Sequence, residues 1–328
     1  MSELTPPRAK LLILLADGEC HSGEQLGKAL AMSRMAVSKH IQVLKSFGLA
    51  ISSVSGKGYQ LAAPLQLLNE TQLRQALSPN RVDVIPVIES TNAHWMALLD
   101  QLNKGDICVA ECQTAGRGRR GRVWISPFGG QLIMSMYWQL EQGMAAAMGL
   151  SLVVGIAITE TLANLGFAGV QLKWPNDLYL EGRKLAGILV EMAGTAGGPC
   201  QLVIGVGLNL LLPKAEQTRI DQPWAELAEL GPVIDRNQLL IALSQGLQRS
   251  LQQFEQSGMA SFREQWNRLD YFNGKPVTLQ LGERSISGIA RGIDEQGALL
   301  LENEQGVQRF VGGEVSLRGQ SPAVSDGP

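Results

Sequence analysis

Arginine and glycine alternate over a short stretch in the middle of the chain, where they could bind an anionic ligand. Residues 116–122 read Gly-Arg-Gly-Arg-Arg-Gly-Arg. Glycine lets a backbone approach a ligand closely, and arginine donates forked hydrogen bonds to phosphate or carboxylate. We therefore expect a loop that is disordered when empty and is ordered by an anionic ligand. A solvated basic turn is the alternative.

The same stretch fits G-x-G-x-x-G, the phosphate-binding pattern of dinucleotide-binding folds. That pattern requires a helix that begins at the glycines and an acidic residue about 20 residues further on. Residues 123–127 are instead β-branched and proline-bearing, and cannot begin a helix. Glu141 has about the right separation but does not lie at a strand end. The dinucleotide-binding interpretation therefore fails.

Other polar residues stand where predicted strands end. Ser90, Thr91 and Asn92 follow a predicted strand over 82–88 and precede a predicted helix, which they could cap or from which they could face a ligand. Lys184 begins an apolar strand after a hairpin turn, and composition leaves open whether it is an edge lysine or a functional one. The following glycine-rich strand, 205–209, suggests that a ligand or a backbone comes close to it.

Cysteine and histidine are too sparse and scattered to form a nucleophilic or zinc site. Cys108 and Cys112 lie four residues apart on a predicted strand, but no second ligand pair exists, so we expect buried small side chains. Among three histidines, only His94 lies outside the N-terminal region, and it has no evident partner. We therefore expect chemistry that uses fixed positive charge.

The elements that would position a second function lie at the N-terminus, where charge is concentrated. Residues 1–64 contain seven basic and four acidic side chains, a local +3 that leaves −5 for the rest of a chain with net charge −2. Every charged residue from Lys28 to Lys57 is basic. A single-sign stretch of this length favours a nucleic-acid surface over an ordinary solvated face.

Helix signals in this segment predict a winged helix-turn-helix. Ser22 and Gln25 form a capping box, and Ser33 caps a second helix whose apolar residues recur at i, i+4 and i+7 from Val37. Residues 51–61 then form a hairpin with Lys57 at its tip, which could contact a phosphate. The candidate DNA-binding residues are Ser22, Ser33, Arg34, Ser38, Lys39 and Lys57.

From about residue 274 onward the residue pattern changes to short apolar stretches separated by turn residues. Short strands over 277–281, 285–291, 298–302 and 307–311, separated by tight turns, predict a small barrel. No apolar run approaches the roughly 20 residues needed to cross a bilayer, and the N-terminus lacks signal-peptide features. Four cysteines without a secretory signal favour a reducing compartment, so we expect a cytoplasmic protein.

Four stretches carry a likeness to a known family: residues 116–121, Lys-Trp-Pro-Asn-Asp at 173–177, Arg-Lys-Leu-Ala-Gly at 183–187, and Gly-Val-Gly-Leu-Asn at 205–209. Together they closely resemble the bacterial bifunctional biotin–protein ligase and biotin operon repressor. Residues 22–27 and 292–301 extend the likeness to both end domains. The resemblance implies an α+β fold: a winged helix-turn-helix domain (1–64), a class II synthetase-like ligase domain with a mixed sheet (65–273), and an SH3-like barrel with a tail (274–328).

The resemblance also implies residue roles. Ser90, Thr91, Asn92 and Gln113 look like biotin-side contacts; Arg117, Gly118 and Arg119 belong to the loop that folds over biotin and the adenylate. Lys184 resembles the lysine that bridges carboxylate and phosphate, which makes Lys184 and Arg119 the implied catalytic residues. The further substrate contacts implied are Trp124 as an aromatic wall, Asn209, and Trp224, which could close on the adenine.

The implied reaction joins biotin to ATP, giving biotinyl-5′-adenylate and pyrophosphate, and then transfers biotin to a lysine of the biotin carboxyl carrier protein. Mg²⁺ is expected with ATP, near Asn176 or Asp177. The adenylate would favour a homodimer that presents two wings to operator DNA, with no membrane involved. Three alternatives remain: a ligase without repression, a ligand-sensing transcription factor without catalysis, and a lipoate-type ligase.

Overall fold

The computed structural model describes residues 4–194, 198–213, 220, 222–231 and 235–311, together with the backbone of 315–319. Contacts divide the chain into two compact units, residues 1–138 with 203–242 and residues 139–202 with 243–328. The predicted tail beyond residue 319 lies outside the described residues.

The N-terminal region is a helix-turn-helix followed by a two-stranded wing. Its elements are α1 (Pro6–Leu15), α2 (Gly23–Leu30), α3 (Arg34–Ser46), β1 (Ile51–Val54) and β2 (Gly58–Leu61). The predicted caps are confirmed, because the backbone N–H of Gln25 donates to Ser22 Oγ at 3.1 Å and that of Ala36 donates to Ser33 Oγ at 3.2 Å. Each cap satisfies a backbone donor that the first helical turn leaves unpaired.

Apolar residues at helical spacing bury the inner faces of these helices. Val37, Ile41 and Leu44 of α3 are fully buried, as the periodicity predicts. In α1 the apolar run is only partly internal, because Ile13 is 62% exposed. The same core includes Cys112 and Phe128 from later in the chain, so the winged helix shares a hydrophobic core with the region that follows it.

Residues 82–209 contribute a mixed seven-stranded sheet with the strand order β3-β4-β5-β9-β8-β7-β6. Of its strand pairs, β3–β4 is parallel, whereas β4–β5, β6–β7 and β7–β8 are antiparallel. The strands are β3 (Val82–Ile88), β4 (Ile107–Gln113), β5 (Gln131–Leu140), β6 (Gln171–Lys173), β7 (Asp177–Leu180), β8 (Arg183–Ala193) and β9 (Cys200–Asn209). The helices of this region are α4 (Glu70–Ala76), α5 (Thr91–Met96), α6 (Leu150–Asn164), α7 (Arg236–Ser257) and α8 (Arg263–Leu269).

A buried ion pair anchors the segment that follows the wing. Arg236, at the start of α7, donates from one Nη to Glu111 Oε2 at 2.7 Å and to the carbonyl oxygen of Gln66 at 2.7 Å. Its other Nη donates to the carbonyl oxygen of Gln131 at 3.0 Å. The second Glu111 oxygen accepts the backbone N–H of Leu68 at 2.6 Å. Both charged side chains are about 95% buried, at 5% and 4% exposure, so each depends on the other for compensation.

We expect the Glu111→Gln variant to lose about 3–5 kcal/mol of unfolding free energy, because it leaves a buried guanidinium uncompensated. Urea unfolding followed by circular dichroism measures this loss. The matched control is Glu70→Gln, since the Glu70–Arg74 pair is more than half exposed on both sides and such pairs contribute about 1 kcal/mol or less. Equal losses of unfolding free energy in the two variants would contradict the claim that the buried Glu111–Arg236 pair contributes more to stability than an exposed pair.

The C-terminal region is a five-stranded antiparallel sheet in the order β13-β12-β11-β10-β14. Its strands are β10 (Pro276–Leu281), β11 (Arg284–Ile293), β12 (Leu299–Asn303), β13 (Gly306–Phe310) and β14 (Val315–Gly319). Four of them lie within two residues of the predicted ones. The indole of Trp174, from the Lys-Trp-Pro-Asn-Asp stretch, donates to the carbonyl oxygen of Gly297 at 3.0 Å. This aromatic residue therefore has a structural role beside the C-terminal sheet.

Candidate functional site

A cluster of mostly buried polar side chains joins the start of α5 to the end of β4 and the middle of β5. Ser90 caps α5, which confirms the capping alternative, while Thr91 and Asn92 begin the helix. Gln113, the last residue of β4, accepts the backbone N–H of Thr91 at 2.9 Å. Ser135 Oγ lies 2.7 Å from Thr91 Oγ1 and 2.6 Å from Asn92 Oδ1. The structure therefore brings together all four predicted biotin-side residues.

The glycine-rich strand β9 makes room for two of the site's side chains. A Cβ at Gly205 would lie 2.4 Å from Asn92 Oδ1, and one at Gly207 would lie 2.5 Å from the Trp124 ring. Both distances are shorter than atoms tolerate, so only glycine fits these positions. The close approach expected at this strand is thus made, at Gly205 and Gly207, by side chains of the site itself.

The arginine-rich loop is closed at its base by backbone pairing. The N–H of Trp124 donates to the carbonyl oxygen of Gly116 at 2.9 Å, and Arg117 forms an isolated bridge with Val123. A single 3-10 turn, Arg119–Gly121, lies at the tip. No α-helix follows the glycines, so the dinucleotide-binding interpretation fails on that ground. The expectation that Glu141 does not lie at a strand end was wrong, because Glu141 directly follows β5. Arg117 is exposed and Arg119 is partly exposed.

A chain of hydrogen bonds connects this loop to the end of β9. The indole Nε1 of Trp124 donates to Gln131 Oε1 at 3.1 Å, and Gln131 Nε2 donates to Asn209 Oδ1 at 2.8 Å. Asn209 Nδ2 then donates to the carbonyl oxygen of Ala225 at 3.0 Å. Trp224 precedes Ala225 and is partly exposed. Trp124 and Asn209 are therefore joined through one series of hydrogen bonds, which ends at the residue that follows Trp224.

In the other compact unit, Lys184 lies among polar residues on one face of β6, β7 and β8. In the strand register Lys173 pairs with Asp177, and Tyr179 pairs with Lys184. Lys184 Nζ lies 2.8 Å from Asp177 Oδ1, and Lys173 Nζ donates to the hydroxyl of Tyr179 at 2.8 Å. Burial, reinforced by the Asp177 carboxylate, raises the pKa of Tyr179 and keeps its phenol neutral. Lys184 therefore forms a largely buried ion pair with Asp177 and does not merely extend along the edge of the sheet.

Two residues of the site escaped the sequence analysis. Ser135 and Gln131 lie four residues apart on β5, on the same face of the strand, and are 0% and 1% exposed. Both lie within a run that is otherwise apolar, and a polar residue buried in such a run must have a partner. That run was the available signal, although it does not identify the partners.

The histidine and cysteine expectations had mixed outcomes. His94 does have a partner, because its Nε2 lies 3.4 Å from Asp83 Oδ2, and Arg81 also binds that carboxylate. Burial of Asp83 opposes ionisation, but the bonds from Arg81 and His94 prevail and lower its pKa. Cys108 and Cys112 are buried free thiols, as expected, and burial raises the pKa of Cys108. Within the described residues no cluster of three or more His, Cys, Asp or Glu could hold a metal ion.

The candidate DNA-binding residues lie at the start of α2 (Ser22), at the start of α3 and on it (Ser33, Arg34, Ser38 and Lys39), and in the turn of the wing (Lys57). Arg34, Lys39 and Lys57 are exposed, and Ser38 is partly exposed. The hydroxyls of Ser22 and Ser33 accept cap hydrogen bonds. These two serines therefore have a local structural role, and their contact with DNA stays a prediction. No helix in the described part of the chain is long and apolar enough to cross a membrane.

Comparison with known proteins identifies the family. Over 318 residues the chain is 51% identical to the "Bifunctional ligase/repressor BirA" of Escherichia coli K12, covering 97% of this chain and 99% of that protein. This chain belongs to the bifunctional ligase/repressor family. The "Biotin--[acetyl-CoA-carboxylase] ligase" of Paracoccus denitrificans is 34% identical over 70% of this chain and 98% of its own length.

Family models and a solved structure agree with this membership. The Biotin/lipoate A/B protein ligase family matches residues 84–209, the biotin protein ligase C-terminal domain matches 272–318, and an HTH domain matches 8–60. A biotin protein ligase from Aquifex aeolicus, in complex with biotin and ATP, is similar with a TM-score of 0.64 and 28% identity, covering 73% of this chain and 99% of that chain. The predicted fold class is thereby confirmed.

Proposed function

We propose that this protein is a biotin–protein ligase that also represses transcription of the biotin operon. In the first half-reaction the biotin carboxylate attacks the α-phosphorus of ATP, which yields biotinyl-5′-adenylate and releases pyrophosphate. In the second, a lysine amine of biotin carboxyl carrier protein attacks the adenylate's carbonyl carbon and AMP departs.

One observation carries the ligase assignment: the arginine loop starts immediately beyond a buried polar cluster. The cluster, built from Thr91, Asn92, Gln113 and Ser135, offers the amide and hydroxyl groups that a cyclic urea requires. The loop beyond Gln113 supplies Arg117 and Arg119 for the carboxylate and phosphate. A neutral hydrogen-bonding site followed by a cationic loop matches the two ends of biotinyl-5′-adenylate.

The remaining site residues have proposed roles that follow their chemistry. Lys184, held by Asp177, would offer its ammonium group to the charge that develops between carboxylate and α-phosphate. Trp124 would form a wall beside the ligand, Trp224 would cover the adenine, and Asn209 would support both. Gly118 lets the loop backbone approach the adenylate.

Mg²⁺ is proposed as a companion of ATP. Asn176 Nδ2 already donates to the carbonyl oxygen of Ile188 at 2.8 Å, and one Asp177 oxygen faces Lys184. The pair thus combines an amide and a carboxylate, whose oxygens are the kind of donor that a hard cation binds. Mg²⁺ commonly binds through one or two carboxylates together with substrate phosphates, so these residues fit an ion whose other ligands are phosphates and water.

Biotin-dependent exchange of labelled pyrophosphate into ATP tests the enzyme directly. We expect exchange with biotin and none above background with lipoate. Exchange with lipoate alone would favour the lipoate-type alternative, and no exchange with either compound would favour a ligand-sensing transcription factor. The family description covers both acids, whereas the curated relatives above are named for biotin or as ligase/repressors.

Repression is proposed to require a homodimer that forms when the adenylate is bound. Two winged helices related by a two-fold axis would match a palindromic operator. If the adenylate orders the loop and stabilises the dimer, then DNA binding and ligand binding are linked through one equilibrium. A ligase without repression remains the alternative, and DNA retention distinguishes the two.

We expect the Arg34→Ala and Lys39→Ala variants each to weaken retention of an operator fragment and to lower the salt dependence. Each lost phosphate contact reduces the slope of log K against log salt by about 1. Filter binding over a salt series with the adenylate present measures both effects. Lys10→Ala is the control, because Lys10 is exposed on α1. Salt-independent binding would contradict the proposed placement of α3.

The domain boundaries proposed are 1–64 for DNA binding, 65–273 for catalysis and 274–328 for the C-terminal domain and tail. The ranges matched by the family models support these boundaries. Two of the three ranges fall inside the proposed domains, and the third begins two residues before residue 274. A cytoplasmic location is also proposed, and the four free cysteines are in keeping with it.

A further inference from the structure

We infer that Gln131 is a positioning residue for the ligase reaction, because it holds the base of the arginine loop through Trp124. The inference rests on the proposed ligase function. Gln131 lies outside the loop and outside the residues that the sequence singled out. Its side chain is 1% exposed, yet both ends of its amide are hydrogen-bonded.

In the series of hydrogen bonds from Trp124 through Gln131 to Asn209, the donor and acceptor groups present determine the direction of each bond. The indole Nε1 of Trp124 can only donate, so its partner must accept. Asn209 uses its Nδ2 to bind the carbonyl oxygen of Ala225, which leaves its Oδ1 as an acceptor. The residue between them must accept from one side and donate to the other. The carboxamide of Gln131 does both, with Oε1 toward Trp124 and Nε2 toward Asn209.

The backbone of Gln131 is held as firmly as its side chain. The Nη of Arg236 donates to its carbonyl oxygen at 3.0 Å, and Arg236 is itself held by Glu111. Gln131 is also the first residue of β5, so its position follows the sheet. The amide therefore forms a rigid point from which Trp124 is oriented.

Trp124 transmits this position to the loop. Its backbone N–H donates to the carbonyl oxygen of Gly116 at 2.9 Å and so closes the base of the loop. Its ring lies against Gly207, with no room for a side chain between them. A loop whose base is fixed loses less conformational entropy when it closes on a ligand. Loss of the Gln131 contact should therefore weaken ligand retention, while the chemical step, once the ligand is bound, proceeds nearly as before.

The test compares Gln131→Met with Gln139→Met in the full-length protein. Gln139 lies on the same strand, but its amide binds the exposed Glu141. For Gln131→Met we expect a roughly five- to thirtyfold rise in the KM for biotin and a similar fall in the half-life of bound adenylate, with kcat within about twofold. Gln139→Met should leave all three values unchanged.

A double-variant cycle identifies the route of the effect. If Gln131 acts through Trp124, then Gln131→Met combined with Trp124→Phe should reduce adenylate retention by less than the product of the two single effects. If Gln131→Met does not fold, Gln131→Asn keeps an uncharged amide but is one carbon shorter, so it cannot reach Trp124 and Asn209 together. It should give the same kind of change, a raised KM for biotin and a shorter half-life of bound adenylate with kcat nearly unchanged.

Two results would overturn the inference while leaving the ligase function intact. One is a Gln131→Met protein whose KM for biotin and adenylate half-life equal those of Gln139→Met, while the unsubstituted protein is active. The other is full multiplicativity with Trp124→Phe, which would show that the two residues act separately. If the unsubstituted protein lacks biotin-dependent pyrophosphate exchange, the proposed function and this inference fail together.

Discussion

Replacing Lys184 by methionine is expected to lower biotin-dependent pyrophosphate exchange by about 10²–10³-fold, the effect typical of removing one group that stabilises transition-state charge. The ammonium group lies 2.8 Å from Asp177 Oδ1 and is 14% exposed, so it is held as a fixed charge in a partly water-excluded site. In such a site a fixed cation stabilises developing negative charge more than it could in bulk water. Initial rates at saturating biotin and ATP measure the loss.

The Lys184 variant needs a control for folding, because it leaves the Asp177 carboxylate without its cation. The double variant Lys184→Met with Asp177→Asn removes both charges and should recover the stability that the single variant loses. We expect exchange to stay low in the double variant, which also lacks the carboxylate proposed to bind Mg²⁺. The double variant therefore serves to measure stability, and the single variant measures the loss of exchange. Lys104→Met is the matched lysine control, since Lys104 precedes β4 and lies at the opposite end of that strand from Gln113. Recovery of exchange together with stability would show that Lys184 has only a structural role.

The second large effect is expected for Arg119→Gly, which should allow biotinyl-5′-adenylate to escape before transfer. A charge-assisted hydrogen bond contributes about 1.5–3 kcal/mol, so its loss should accelerate release about tenfold to a hundredfold. Free adenylate acylates lysines without selection. Biotinylation of an added bystander protein, detected with streptavidin, should therefore rise as adenylate retention falls.

Arg120→Gly provides a close control for that experiment. It removes the same charge at the neighbouring position, and Arg120 has φ 58°, a left-handed conformation that glycine adopts without strain. The loop fold should therefore be preserved in this variant. We expect bystander labelling to stay near the level of the unsubstituted protein. Equal labelling by both variants would mean that loop charge in general, and not Arg119, retains the adenylate.

Local signals allowed much of the fold and many site residues to be predicted. Ser22, Ser33 and Ser90 all cap helices where their types and neighbours indicated, because a cap depends on bonds within three residues. The strand over 82–88 was predicted with the bounds it has, and the hairpin signals at 51–61 and 178–190 lie within hairpins of the structure. Such features follow from short-range hydrogen bonding and from the alternation of apolar residues.

The partners of buried polar groups could not be predicted in the same way. His94 meets Asp83 across 11 residues of sequence, Gln131 meets Asn209 across 78, and Arg236 meets Glu111 across 125. Nothing in the local sequence of either member specifies such a pairing. It arises when strands and helices distant along the chain assemble, and the cost of leaving a buried polar group unpaired then selects the contact.

The sequence by itself determined the family, the order of the domains, the candidate charges and the capped helices, because each is written in residue types and short spacings. The tertiary structure decided how those residues are held. It showed that Gly205 and Gly207 admit Asn92 and Trp124, that Asp177 faces Lys184, and that Gln131 connects the loop to β9. These are steric and hydrogen-bonding relations between distant segments, and they exist only once the sheet has formed.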